Sequence, residues 1–179
     1  DGAMRLYWGR DMTEPPHQDE APTGAFAGAA VGTVGVASDH AGVALKAVLA
    51  DELRAMGCEV RDLGTHGPES VDYPDFGAAM GAAIERGEVR MGVIVCGTGI
   101  GISIAANRFP AVRAALCHDT TTARLSRQHN DANVLALGAR IIGEETAKDC
   151  LKTFLATDFE GGRHARRVDK LARQAHVAD

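Results

Sequence analysis

The chain has 179 residues and a mass of 18.8 kDa, with 45% hydrophobic and 24% charged residues. These values fit one globular domain and exclude collagen-like, disulfide-scaffold and wholly disordered classes. Nineteen basic against 24 acidic residues give a formal charge of −5, which excludes a protein that coats nucleic acid or anionic membranes over its whole surface.

Residues 1–30 mix Pro, Gly and acidic residues without a sustained period, as a flexible N-terminal tail or expression remnant would, and residues 31–179 form the expected single domain. From Thr33 the apolar run TVGVA (33–37) predicts a strand that ends at SDHAG. Leu45, Val48, Leu49, Leu53 and Met56 then recur at helical spacing, with Gly57 at the stop. The alternation continues. CEVRDL (58–63) predicts a strand, DYPDFGAAMGAAIERG a helix with Pro74 near its start, MGVIV (91–95) a buried strand and GISIAANRF a helix. RAALC (113–117) and NVLAL (133–137) predict strands on either side of a helix over TTTARLSRQHN. GEETAKDCLKTFLA and a segment from about Arg163 to Ala175 supply the last helices. This is the pattern of an α/β, three-layer α/β/α sandwich with a five-stranded parallel Rossmann-like sheet, for which the strand order 2-1-3-4-5 is expected.

No apolar run approaches the roughly 20 residues of a membrane span, and the stretch at 25–32 lacks a basic region ahead of it, which argues against a secretory signal. Cys58, Cys96, Cys117 and Cys150 contain no close pair of the kind that zinc or redox motifs use, so free thiols in a reducing cytoplasm are expected.

Ligands of open parallel sheets bind beyond the carboxyl ends of the strands, where the strand order reverses. That point lies between the first and third strands, so SDHAG and CGTGIG should bring Asp39, His40, Cys96 and Thr98 together. For Asp39 and His40, a turn or helix-capping role is the competing reading. The glycines at 97, 99 and 101 can present bare N–H groups to a phosphate or an oxyanion. They match neither nucleotide fingerprint, because Ile102 stands where a third glycine belongs and no Gly-Lys-Ser/Thr occurs. Cys96 at a strand end facing a helix N-terminus is placed to act as a base or nucleophile. Cys117 and Cys150 sit inside apolar patterns and read as inert. Arg163, Arg167 and Lys170 share one helical face; such stripes are usually solvated, yet two arginines one turn apart make a fork for phosphate.

Taken together, SDHAG, DYPDF, CGTGIGISIAANR, RQHNDANVLALGAR and EGGRHARRVD resemble the type B ribose-5-phosphate isomerase family, which includes the galactose-6-phosphate isomerase subunits; the likeness covers about residues 33–173. It implies an aldose-ketose isomerase without cofactor or metal that interconverts ribose 5-phosphate and ribulose 5-phosphate, within the pentose phosphate pathway, through an enediolate. By the same resemblance Cys96 is the base, assisted by Thr98, and the N–H groups of Gly97, Gly99, Ile100 and Gly101 hold the enediolate. His129 opens the furanose, Asp39 and Tyr73 grip hydroxyls and Asn130 lies beside the ring. His40, Arg140, Arg163 and Arg167 take the phosphate. Relatives that use a glutamate shortly after the glycine loop differ from this chain, which reads Gly101-Ile102-Ser103 there. Allose 6-phosphate, galactose 6-phosphate or erythrulose 4-phosphate are alternative substrates. A Cys-nucleophile hydrolase or a nucleotide-binding module are alternatives of other classes.

The resemblance has a consequence for assembly. His129 closes a helix that begins near Thr120 and runs back from the sheet's carboxyl edge, which carries it roughly 15 Å from Cys96 at 1.5 Å per residue. If both act on one sugar, His129 comes from a neighbouring subunit, and a homodimer with shared sites, or a dimer of dimers, is expected. Neither nucleic acid nor membrane is an expected partner.

Overall fold

Short β-branched runs alternate with amphipathic segments, and each pair folds as one strand-helix unit. A computed structural model describes residues 32–173, so the expectation for residues 1–30, and for the last helix beyond Arg173, falls outside the described residues. In chain order come β1 (Thr33–Ser38), a single 3-10 turn (His40–Gly42), α1 (Val43–Ala55), β2 (Glu59–Asp62), α2 (Tyr73–Glu85) and β3 (Met91–Cys96). They are followed by α3 (Ile100–Ala106), β4 (Ala114–Leu116), α4 (Thr120–Asn130), β5 (Val134–Gly138), α5 (Glu144–Ala156) and α6 (Arg163–Arg173).

All pairings are parallel, and the five strands lie in the order β2-β1-β3-β5-β4. The fold class agrees with the sequence reading, while the outer two strands exchange places relative to the expected 2-1-3-4-5. The reason is burial. Every residue of β5 is buried, and it fills the interior position beside β3, whereas β4 has three residues of intermediate exposure. A short strand is the better edge, because it offers little unpaired backbone to solvent.

Alternate strand residues sort into two cores. Val34, Val36, Val93, Val95, Leu135 and Leu137 pack with residues of α1, α4 and α5 on one face. Ala37, Ile94, Cys96, Val134 and Ala136 pack with Met80 and Ala83 of α2 and Ile102 and Ala106 of α3 on the other. Cys96 therefore belongs to the α2/α3 side. Phe154 of α5 is fully buried in the first core and carries the Arg127 guanidinium 5.7 Å from its ring centroid; removing a buried aromatic ring of this kind costs about 3–5 kcal/mol.

Helix ends follow their local chemistry. Asp119 caps α4 by accepting from Thr122 N at 2.8 Å, and Pro74 occupies the first turn of α2, where its missing N–H costs nothing. Asp131 ends α4 in the left-handed region at φ 45°, a conformation that Asp tolerates better than most side chains. It is held there by Arg127 at 2.9 Å and Arg113 at 3.0 Å. α6 packs against α4. Among the described residues, no helix is long and apolar enough to cross a membrane.

Candidate active site

The carboxyl ends of β1 and β3 lie side by side, with Ser38 paired to Val95 and Cys96 paired onward to Gly138 of β5. Cys96 is buried, and its Sγ accepts from Gly99 N at 3.1 Å; such a bond strengthens as charge develops on sulfur. Gly99 adopts φ 76°, and a Cβ there would come within 2.8 Å of the Leu137 carbonyl carbon. Only glycine lets the loop turn this tightly while aiming its N–H at the thiol. Thr98 is exposed, and its Oγ1 accepts from Ile100 N at 3.3 Å. Two of the loop amides named from sequence, Gly99 and Ile100, are thus already engaged within the loop, at Sγ and Oγ1.

Other groups converge on this loop. A Cβ on Gly101 would lie 2.5 Å from Tyr73 Cε2, so the Tyr73 ring sits directly over the glycine. Arg140 follows β5, donates its backbone N–H to Gly97 O at 2.9 Å, and keeps its guanidinium against Gly97. Asp39 is buried and does cap the 3-10 turn, its Oδ1 accepting from Ala41 N at 3.0 Å and Gly42 N at 3.1 Å. The capping reading and the site reading are compatible, since one carboxylate carries several acceptor positions. His40 Nδ1 lies 3.2 Å from Val71 N and 3.3 Å from Val71 O. In the tautomer that accepts from Val71 N, Nε2–H becomes the donor available to an anion. This contact also ties the segment leading to Tyr73 onto the end of β1.

The remaining sequence-derived residues are elsewhere. His129 and Asn130 are the last residues of α4, immediately ahead of β5, and so lie toward the amino edge of the sheet, opposite Cys96. His129 stacks on His164 of α6, with centroids 4.3 Å apart and planes within 4°. Arg163 and Arg167 lie exposed on the same helix, one turn apart. A pocket of about 520 Å³ opens at this edge, lined by Asn130, Leu171 and the segment from Asn107 into the start of β4. It does not include Cys96. Within one chain the candidate residues therefore form two half-sites, one built on Cys96 and one on His129.

His164 was not singled out from sequence. It is buried, and its Nε2 lies 3.4 Å from Arg163 Nε and 3.7 Å from Glu160 Oε2. Its place one residue after Arg163 was visible, but its contact with His129, 35 positions earlier in the chain, requires the fold. His129, Glu160 and His164 bring three potential ligand atoms within 4.8 Å of one another. Their geometry does not fit a cation: two parallel ring planes cannot both contain one ion, and a guanidinium already faces Nε2. The other cysteines behave as read. Burial raises the Cys58 and Cys117 thiols and pushes Cys150 up to about 11, which keeps all three protonated near neutrality.

Comparison with known proteins agrees with this fold. The family model described as Ribose/Galactose Isomerase matches residues 34–171. Ribose-5-phosphate isomerase B of Escherichia coli (strain K12) is 47% identical over 133 residues, covering 74% of this chain and 89% of that protein. D-erythrulose-4-phosphate isomerase of Pectobacterium atrosepticum is 40% identical over 146 residues, covering 80% of this chain and 95% of that protein. Among solved structures, ribose-5-phosphate isomerase B of Clostridium thermocellum superposes with a TM-score of 0.79 at 52% identity, covering 80% of this chain and 97% of that one. A match along almost the whole described domain, with a shared fold at this level of identity, makes the chain a member of the ribose/galactose isomerase family.

Proposed function

We propose that the protein interconverts D-ribose 5-phosphate and D-ribulose 5-phosphate through an enediolate, as a step of pentose phosphate interconversion. The observation that carries this reading is the juxtaposition of the Cys96 thiol, the glycine loop, Asp39, Tyr73, His40 and Arg140 at one sheet edge. It supplies a base, amide donors, hydroxyl contacts and cationic groups around one small volume. The names of the relatives in the same family support the substrate class.

The chemistry divides among these groups. His129 takes the proton of the anomeric hydroxyl and returns one to the ring oxygen, so the furanose opens to the aldehyde. The Cys96 thiolate removes the proton from C2, the C1 carbonyl oxygen gains charge, and the loop N–H groups stabilise it. Protonated Cys96 then delivers the proton to C1, while the C2 hydroxyl becomes the ketone as its proton passes to O1. Thr98 keeps the loop in the conformation that serves Cys96. His40, Arg140, Arg163 and Arg167 hold the phosphate, and Asn130 borders the opened ring.

His129 and Cys96 occupy opposite sheet edges of one chain, so the reading places both at one sugar through a homodimer, each subunit lending His129, Asn130, Arg163 and Arg167 to the partner's Cys96. Exposed Ile100 and Ile104, one turn apart on α3, and Leu171 on α6 supply apolar surface for such pairing. The same separation disfavours a hydrolase built on a Cys96–His129 pair within one subunit.

The direct test is turnover of ribose 5-phosphate, allose 6-phosphate, galactose 6-phosphate and erythrulose 4-phosphate, side by side in buffer with a chelator. Highest kcat/KM on ribose 5-phosphate supports the reading. Preference for another sugar phosphate would reassign the substrate, and activity that required an added divalent ion would contradict the mechanism.

A further inference from the structure

We propose that His164 is a positioning residue for ring opening: its buried imidazole lies flat against His129 and accepts from Arg163, joining the ring-opening histidine to a phosphate-binding arginine. This rests on the roles of His129 and Arg163 proposed above. His129 is the penultimate residue of α4 and only half-buried, so its own helix does little to fix the ring. The stack fixes it. With the planes 4° apart and the centroids at 4.3 Å, rotation of His129 about its Cβ–Cγ bond would drive one ring edge into the other. A proton shuttle between two sugar oxygens depends on that ring angle, and small misplacements of a reacting group cost up to about a hundredfold in rate.

The second contact sets the protonation state. Nε2 of His164 faces Arg163 Nε at 3.4 Å, and a guanidinium only donates, so Nε2 must accept and its proton resides on Nδ1. Among the described residues, four charged or titratable groups act on the ring. His129 approaches from α4, Arg163 and Arg167 lie on α6, and Glu160 precedes that helix. Burial, helped by His129 and the two arginines and opposed by Glu160, holds the His164 pKa below the ordinary histidine value. The ring is therefore neutral at pH 7. Protonation at lower pH would replace the acceptor with a donor and set a positive charge against the Arg163 guanidinium, so ring opening should fail on the acid side.

The test separates ring opening from proton transfer. Ribose 5-phosphate must open before it reacts, whereas ribulose 5-phosphate, whose C5 oxygen carries the phosphate, is an open-chain ketose. We expect His164→Ala to lower turnover of ribose 5-phosphate by about tenfold or more, while exchange of solvent deuterium into C1 of ribulose 5-phosphate stays near the wild-type rate. His164→Phe keeps a ring to stack but cannot accept from Arg163. It should recover much of the turnover, show a raised KM, and shift the acid limb of the kcat/KM profile, which the other proton-accepting groups keep from vanishing. Equal losses in both reactions, or an unchanged acid limb in His164→Phe, would overturn the proposal and leave a packing role. A wild-type protein inactive in both reactions would overturn the proposed function and the role of His164 with it. A wild type active in both, with His164→Ala unaffected, would overturn the role of His164 alone.

Discussion

Subunits carrying Cys96→Ala and subunits carrying His129→Ala should rescue each other when co-refolded. Cys96 pairs in register with Gly138 at the carboxyl end of β5, while His129 precedes the amino end of the same strand, at Val134. At about 3.3 Å per residue, the strand alone holds the two more than about 10 Å apart. In the proposed mechanism both must come within about 3 Å of one sugar to exchange protons with it. In a two-fold dimer with shared sites, each mixed dimer has one site that lacks both residues and one that is intact. Random association of equal amounts makes half of all dimers mixed, so activity should return to about a quarter of the wild-type value, from near zero in either parent. The assay is turnover of ribose 5-phosphate after refolding, with subunit exchange followed by native mass spectrometry of a size-tagged partner. No recovery despite confirmed mixed dimers would refute the shared site, and recovery far above a quarter would refute its stoichiometry.

Arg167→Ala should raise KM for ribose 5-phosphate by about 10- to 100-fold, since a charge-assisted phosphate contact is worth about 1.5–3 kcal/mol. Turnover of phosphate-free ribose should not change; equal effects on both would make α6 a structural helix. Stability should fall in alkali through Cys150, whose thiol burial holds at about 11. Unfolded thiols ionise near 8.5, so the unfolded state loses its proton first and the native state loses stability as pH rises from about 8.5 to about 11. Urea midpoints of wild type and Cys150→Ala should converge over that range, and parallel curves would contradict the assignment.

Much of this site was legible before folding because its parts sit at strand ends, where position along the chain fixes position in space. A run as short as MGVIV between turn signals reads as a buried strand, so the residues following it are expected at the carboxyl edge. The helix over TTTARLSRQHN has the same bounds in the structure, since Asp119 and Asp131 bracket it with chemistry visible in the sequence. The order of β4 and β5 was not legible from strand count alone. It depends on which strand buries all its residues, and the three-residue β4 loses that competition. Asp39 posed a false choice between cap and ligand, because a carboxylate can be both. His164 stayed hidden because stacking on His129 is a contact between two helix faces, and no local pattern encodes it.

The most direct measurement compares Cys96→Ala with wild type for turnover of ribose 5-phosphate and for its equilibrium binding. In the proposed mechanism Cys96 acts on the C2 proton, so its loss should lower kcat by about a hundredfold or more, the usual share of a general base, while the dissociation constant of ribose 5-phosphate changes little. Near-normal turnover by Cys96→Ala would contradict the central claim that this thiol is the base.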